Sequence, residues 1–504
     1  MLMSKNCVSL VKHHKWIRPE GHDTGIKVFN CITKNKEPLI VKNKNFVTWY
    51  TCGPTVYDSS HIGHASCFMK LDIIQRILKQ YFNLNLVTVM NITDVDDKII
   101  NRSNASKVPV QELTQRYEKE FWKDIEELDI SKPDVILRVT ENIEIIKNCI
   151  EKLMKCKKAY QAENGTIYFD VGAYSNYGKL QNISSENPEH EHEYKKSSMD
   201  FALWKSAKSG EVYWESPWGN GRPGWHIECS ALASHIFGPE IDIHAGGIDL
   251  RFPHHENEEA QSCALHCKTQ WVNYWIHTGH LHLKDSEKMS KSLKNTMSVS
   301  SLLANTTPQT FRMACLMSHY RKHMEFSPEF MATASTNLQN YINFIDTCKN
   351  YLNGLITVDV DNNAMEQLVQ DSAEIIYGAL TDDFNTPLVV KTLNKLVSAV
   401  NITLHSSKTH SSVSKSVNVV VILNLVLRTL NMLGLDLSYK KHSESGSDFV
   451  EIMNILNDFR QNVRQLGISK KDQQLLEMCD TVRHNLKNSG IILKDHGKVS
   501  SWST

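Results

Sequence analysis

His61 and His64 flank Gly63 in His61-Ile62-Gly63-His64, and Lys288 and Lys291 bracket Met289-Ser290 much further along the chain. Two imidazoles at the first turn of a helix can donate hydrogen bonds to phosphate oxygens, where the helix dipole already favours an anion. Gly63 lets an adenine or ribose come close to the backbone. Ammonium groups are compact, strongly hydrated charges suited to phosphates, and Ser290 and Ser292 around them suit a loop that closes and reopens. Alone, the first segment reads equally well as an ordinary helix entrance, and the second as a solvated basic loop. Together they point to in-line attack on the α-phosphate of ATP with pyrophosphate leaving, a reaction in which a protein mainly positions groups and stabilises charge.

A second constellation comprises Cys52, Cys229, His254 and Glu258. His254 and Glu258 are four apart, a spacing that puts both on one helix face. Two sulfurs, one nitrogen and one oxygen suit zinc. A zinc hydrolase would want an open metal position with a water and an adjacent base, and it would have no use for the lysine segment. Cys263 and Cys267 are also four apart, but on a helix they read as core packing. Asp94, Asp96 and Asp97 could hold Mg2+ or act as turn and helix caps. The second reading is preferred, with Asp96 near the substrate.

These residues need elements to hold them. Phe46–Thr51 reads as a buried strand, followed by the turn Cys52-Gly53-Pro54. Phe68, Leu71, Ile74, Leu78 and Tyr81 recur at helical spacing, which predicts a helix from about Gly63 to Tyr81. Leu86–Ile92 reads as the next strand. Such a strand–helix–strand unit opens a doubly wound α/β domain. Residues 120–224 break the pattern and read as a connective insertion. Ile241–Ala245 and Trp271–His277 resume buried strands, with a helix from about His255 to Cys267 between them. Amphipathic segments from about 330 onward predict a helical bundle.

The chain has 504 residues, no net formal charge and 12 cysteines at scattered spacings. A global basic surface and a secreted disulfide framework are both disfavoured. The longest apolar run, Val417 to Leu427, is interrupted by asparagines and falls short of the ~20 residues of a membrane helix, so no membrane association is expected. Residues 1–19 lack Asp and Glu but carry Lys5, Lys12, Lys15 and Arg18. That composition suits either a mitochondrial presequence or a frayed basic terminus.

The paired histidine and lysine motifs resemble those of class I aminoacyl-tRNA synthetases. The resemblance narrows at Tyr50-Thr51-Cys52-Gly53-Pro54-Thr55-Val56-Tyr57-Asp58, Asn91 through Ile100, Asp200 through Lys205, Gly224 through Cys229 and Phe252 through Glu258. These stretches are similar to the cysteinyl-tRNA synthetases. The resemblance implies a Rossmann-type doubly wound parallel sheet with a connective insertion, followed by an α-helical anticodon-binding bundle. Its divisions would be an extension 1–45, catalytic halves 46–119 and 225–285 around the insertion 120–224, a lysine-loop and stem-contact region 286–329, and a helical domain 330–504. It implies one Zn2+ held by Cys52, Cys229, His254 and Glu258. Gly53, Thr55, His61, Gly63, His64, Lys288 and Lys291 would bind ATP with Mg2+, and Trp225, His244 and Asp96 would lie by the substrate.

The partners implied are L-cysteine, ATP and tRNA(Cys), and the bundle would bind the anticodon stem, with Arg460, Arg464, Lys470 and Lys471 as candidate phosphate contacts. Cysteine and serine differ by one atom, and a hydrocarbon pocket separates near-isosteres only ~100-fold. Zinc binds a thiolate directly and a hydroxyl poorly, which would give selectivity without proofreading. Ala245 departs from a glycine common in the family without threatening either site. The compact length and basic start resemble the mitochondrial branch; a cytoplasmic location is the alternative, and a monomer is expected. Two rivals remain: a ligase joining cysteine to an amino sugar, and a non-catalytic RNA-binding relic.

Overall fold

The computed structural model describes residues 14–181, 194–283, 297–406, 416–437, 447–497 and 499–503. Lys288 and Lys291 lie outside these described residues. The chain divides into two compact units, residues 1–331 with 379–387, and residues 332–378 with 388–504.

The first unit is built on a five-stranded sheet in the order Val272–Thr278, Ile241–Gly247, Val47–Thr51, Leu86–Ile92, Val135–Arg138, and every neighbouring pair is parallel. Its inner strands are rich in Val, Ile, Trp and Tyr, and all seven residues of Val272–Thr278 are buried. Parallel strands covered on both faces show such continuous apolar runs rather than alternation.

The sheet reaches further into the sequence than composition indicated. Val135–Arg138 is its outer strand, yet it falls within the stretch 120–224 expected to be insertion, and the helix Val110–Glu127 runs across residue 120. Four half-buried residues are too few to stand out by periodicity. Asp134 fixes this edge, accepting from Thr88 N at 2.7 Å and Thr88 Oγ1 at 2.6 Å. Beyond it, Ala159–Gln161, Ile167–Phe169, Phe201–Ser206 and Gly221–Pro223 form a separate antiparallel sheet.

The stretch 1–45, expected as an extension, is folded over much of its described length. His22–Phe29 and Lys36–Val41 form an antiparallel hairpin. Ile40 N donates to Tyr274 Oη at 2.9 Å, and the Trp16 indole donates to Asn273 O at 3.0 Å.

The helix predicted from Gly63 to Tyr81 begins at Ile62 and runs to Arg76, with a wider-turned continuation over Ile77–Tyr81. It carries a buried acid. Asp72 Oδ2 accepts from Arg312 Nη1 at 2.6 Å and Arg76 Nε at 2.8 Å, and its Oδ1 accepts from Ser131 N at 3.0 Å. Arg312 lies on the helix Pro308–Met317, so this carboxylate joins the segment after the lysine motif to the helix after the histidine motif.

In the second unit the helices are followed by an antiparallel hairpin, Ile492–His496 with Val499–Ser503, which periodicity had not marked. Arg460 is not a free phosphate contact. It is 2 % exposed and donates to Cys479 O at 2.9 Å and Asp495 Oδ1 at 2.8 Å. Arg464 also pairs with Asp495, at 3.5 Å. Among the described residues no helix is long and apolar enough to cross a membrane.

Burial pushes the Asp72 carboxyl up, but Arg312 and Arg76 outweigh it and hold the carboxyl below the usual range. Its stabilising contribution is therefore full above the unfolded carboxyl pKa and is lost as pH falls through the lower folded value. Asp72→Ala, which takes the carboxylate from a buried guanidinium and leaves it only Asp129, is expected to lower unfolding free energy by about 3 kcal/mol in urea unfolding followed by tryptophan fluorescence at neutral pH.

Candidate catalytic and metal site

The direction of strand order reverses between Val47–Thr51 and Ile241–Gly247. Ligands of open α/β sheets bind at the carboxyl ends of the strands at such a switch point, and Cys52, Gly53 and Thr55 leave the first strand there. Gly53 N donates to Asn91 Oδ1 at 2.9 Å, and a Cβ at Gly53 would stand 1.6 Å from Asn91 O. No other residue fits without moving the turn. Thr55 is bridged to Thr93, with Val56 N to Thr93 O and Thr93 N to Pro54 O both at 3.1 Å.

His61 caps the helix Ile62–Arg76, its Nδ1 accepting from Gly63 N at 3.1 Å. A Cβ at Gly63 would stand 2.8 Å from that nitrogen. The nearest steric reason for this glycine is thus the His61 ring itself. The rings of His61 and His64 stack at 3.8 Å and 18°. Ile62 N donates to Met297 O at 2.9 Å, and His61 is bridged to Ser298. The residues directly after the lysine segment are therefore tied to the histidine turn.

The four metal candidates converge from three elements. Cys52 directly follows the strand Val47–Thr51, Cys229 lies on the helix Trp225–Phe237, and Glu258 lies on the helix Glu256–His266 with His254 in the turn leading into it. Cys52 Sγ is 3.5 Å from Cys229 Sγ and 3.3 Å from Glu258 Oε1, and His254 Nε2 is 3.1 Å from the same oxygen. All four are buried. Among the described residues this is one of two overlapping groups that could hold a metal ion; the other is Cys52, His244, His255 and Glu258. Cys263 and Cys267 belong to neither: Cys263 is buried, and Cys267 is exposed at its helix end.

His244, His255, His226 and His277 form a layer around this group. His244 Nε2 is 2.9 Å from Glu258 Oε2. His255 Nε2 is 3.5 Å from Cys52 Sγ, and its Nδ1 is 2.9 Å from His277 Nε2. His226 Nδ1 is 3.0 Å from His254 Nδ1, the kind of outer partner that orients a ligating imidazole. Sequence reasoning singled out His244 and His254 but not the other three, although His255 adjoins a chosen ligand and His226 lies within a quoted motif.

Burial, reinforced by neighbouring histidines, pushes the His254 imidazole down to about 3, and burial drives the Cys229 thiol up to about 11. Burial also raises the Cys52 thiol well above its ordinary value. Burial alone would raise the Glu258 carboxyl, but His244 and His254 more than offset it. A divalent cation here would meet one imidazole, one carboxylate and two thiols whose protons it can displace.

Trp225, 37 % exposed, stacks on the His254 ring at 4.3 Å and 24°, which puts an indole on the outer side of the group. Asp96 caps the helix Asp97–Ser106, accepting from Lys98 N at 2.9 Å. Asp94 accepts from Thr140 N at 3.0 Å, and Asp97 pairs with Lys205 at 2.5 Å and with Arg222. Each of these three acids has a structural partner.

Residues 39–336 match the family described as the tRNA synthetases class I (C) catalytic domain, and residues 376–437 match the DALR domain. A Xenopus tropicalis protein named "Probable cysteine--tRNA ligase, mitochondrial" is 41 % identical over 97 % of this chain and 91 % of its own. The chain belongs to the cysteine–tRNA ligase family. A Dictyostelium discoideum relative named as the cytoplasmic cysteine–tRNA ligase is 38 % identical over 93 % of this chain and 76 % of its own. Among solved structures, Mycobacterium tuberculosis methionyl-tRNA synthetase aligns at a TM-score of 0.54, covering 78 % of this chain and 90 % of that one at 14 % identity. That likeness concerns the fold alone, an α/β synthetase core.

Because Gly53 stands against Asn91 at the mouth of this ligase's site, Gly53→Ala is expected to reduce cysteine-dependent ATP–pyrophosphate exchange about 100-fold, the scale of loss that follows an ångström of misplacement.

Proposed function

We propose that this ligase holds one Zn2+ through Cys52, Cys229, His254 and Glu258 and uses it to select cysteine for tRNA(Cys). The observation that carries the reading is the approach of two buried cysteine sulfurs, 3.5 Å apart, to the Glu258 carboxylate and His254. Of the two overlapping groups, this one offers two thiols, a donor set that suits zinc. Bound zinc supplies a position that takes a thiolate and rejects a hydroxyl.

The remaining steps belong to the chain's own residues and to ATP. Trp225 covers the outer side of the metal group, and His244 steadies Glu258. His61 and His64, at a helix N-terminus, meet the phosphates of ATP with Gly53 and Thr55 beside them, and Lys288 and Lys291 take the departing pyrophosphate. The cysteine carboxylate oxygen attacks the α-phosphorus as the bond to the bridging oxygen breaks, giving cysteinyl-adenylate and pyrophosphate. The 2'-hydroxyl of the terminal adenosine of tRNA then attacks the carbonyl, and AMP leaves. No side chain is needed as a covalent nucleophile; positioning and charge stabilisation suffice.

A mitochondrial location is supported by the acid-free basic stretch 1–19 and by the name of the Xenopus relative, whereas the Dictyostelium relative carries a cytoplasmic name. Trp16 sits within that stretch and is packed through its indole, so a leader cleaved beyond it would forfeit that contact.

Metal content and amino-acid-dependent ATP–pyrophosphate exchange test the proposal together. Wild-type protein is expected to carry one zinc and to prefer cysteine over serine by roughly 10,000-fold, as a site built to bond a specific group rejects the analogue lacking it. Cys229→Ser should lose both metal and exchange. Transfer of labelled cysteine to tRNA but not to an amino sugar separates this reading from its nearest rival. Metal-replete, folded protein without exchange would overturn it.

A further inference from the structure

Tyr50 lies on the strand Val47–Thr51, two residues before Cys52, which directly follows that strand, a spacing that turns both side chains to one face of extended backbone. Across the sheet its register partner is His244, and the two rings lie 5.0 Å apart at 54°. Tyr50 has no exposure. Its hydroxyl makes no hydrogen bond among the described residues, and Tyr50 packs in one buried cluster with Cys52 and Cys229. Among the other buried phenol oxygens of this unit, Tyr177 donates to Asn257 at 2.5 Å, Tyr274 to Pro38 O at 2.6 Å and Tyr320 to Asp383 at 2.7 Å, whereas Tyr174, remote in the chain from the metal candidates, is left over like Tyr50. A buried donor left over beside a thiol needs an explanation.

Cys229 supplies one. Its thiol donates to Asn91 Oδ1 at 3.5 Å. That oxygen also accepts from Gly53 N at 2.9 Å, and the amide nitrogen of Asn91 donates to Thr93 Oγ1 at 3.2 Å. The amide is thus held with its oxygen toward the sulfur and cannot turn to donate. Once Cys229 gives up its proton, the sulfur faces an acceptor and has lost its bond. Two thiolates and a carboxylate carry three negative charges against the two positive charges of a divalent ion. Outer donors that offset the excess tighten such sites.

We propose that the Tyr50 hydroxyl donates to the Cys229 sulfur when the site is loaded, making Tyr50 a positioning residue for the metal and, through it, for the cysteine thiol. This rests on the metal reading above.

Chelator competition on zinc-loaded protein and the sulfur-to-cobalt charge-transfer band of Co2+-loaded protein test it. Tyr50→Phe is expected to release zinc about 10-fold more readily, to move the cobalt band to longer wavelength, and to leave the melting temperature of metal-free protein unchanged. The KM for cysteine should rise about 10-fold with kcat within about 2-fold. Placing 3-fluorotyrosine, a stronger donor of the same shape, at position 50 should shift the band the other way, and this readout remains if the phenylalanine variant folds poorly. Unchanged zinc affinity and an unmoved band, in protein whose wild type binds metal, would overturn the role of Tyr50 alone. Wild-type protein that takes up no metal would overturn the metal reading and this inference with it.

Discussion

Glu258 is a carboxylate with no exposure to water, and the centre of the molecule is arranged around keeping it there. Burying an anion costs several kcal/mol unless well-placed partners offset it. Its partners are His244 at 2.9 Å, His254 at 3.1 Å and Cys52 at 3.3 Å, drawn from a strand, the turn before its own helix, and the end of the first strand. Because burial also pushes the His254, His226 and His277 imidazoles down to about 3, this carboxylate stands near groups able to give a lone pair to a cation. Exclusion of water depresses these imidazoles and by itself opposes the anion, which persists through its partners His244 and His254.

The helix bearing Glu258 cannot drift, since its neighbouring side chains hold other elements. Glu256 accepts from Gly178 N at 2.7 Å, Lys179 N at 3.0 Å and Leu180 N at 2.7 Å. Glu259 accepts from Lys179 Nζ at 2.8 Å and from Trp271 N and Val272 N at 3.3 Å. Four successive polar residues, Glu256 to Glu259, are all buried. They fasten the insertion and the last strand of the sheet to the helix that presents the Glu258 carboxylate.

That arrangement explains what the sequence could and could not disclose. The ligand candidates were legible because Cys52, Cys229, His254 and Glu258 sit in compact local motifs, and the parallel α/β core because its strands are apolar throughout. The supporting layer was not. His277 lies in a strand that looks merely buried, and His255 has the same residue type as its neighbour His254, so only geometry separates their partners. The helix Glu256–His266 has no amphipathic stripe at all, because its polar side chains point inward to partners distant in sequence. Val135–Arg138 escaped through shortness, and Arg460 looked like a surface cation until Asp495 was found against it. Periodicity reports burial of apolar groups; it is silent on buried polar groups satisfied by remote ones.

The two halves of the chemistry share one stretch of backbone. Cys52 belongs to the group proposed to select the thiol, Gly53 is pressed against Asn91, and the chain then runs through Thr55 to the His61 cap proposed to meet the phosphates. Asn91 binds Gly53 N and the Cys229 sulfur with the same oxygen, so the turn and the thiol group have a common anchor. The thiol and carboxyl of a cysteine lie only a few bonds apart, and a rigid connection of this kind suits a substrate that must be recognised at one end and reacted at the other. The histidine turn is in turn tied to Met297 and Ser298, which extends the same constraint to the segment that follows the lysines. On the proposed reading, selection and activation are held in register by the strand Val47–Thr51 and its turn, and any displacement of that turn moves both candidate sites.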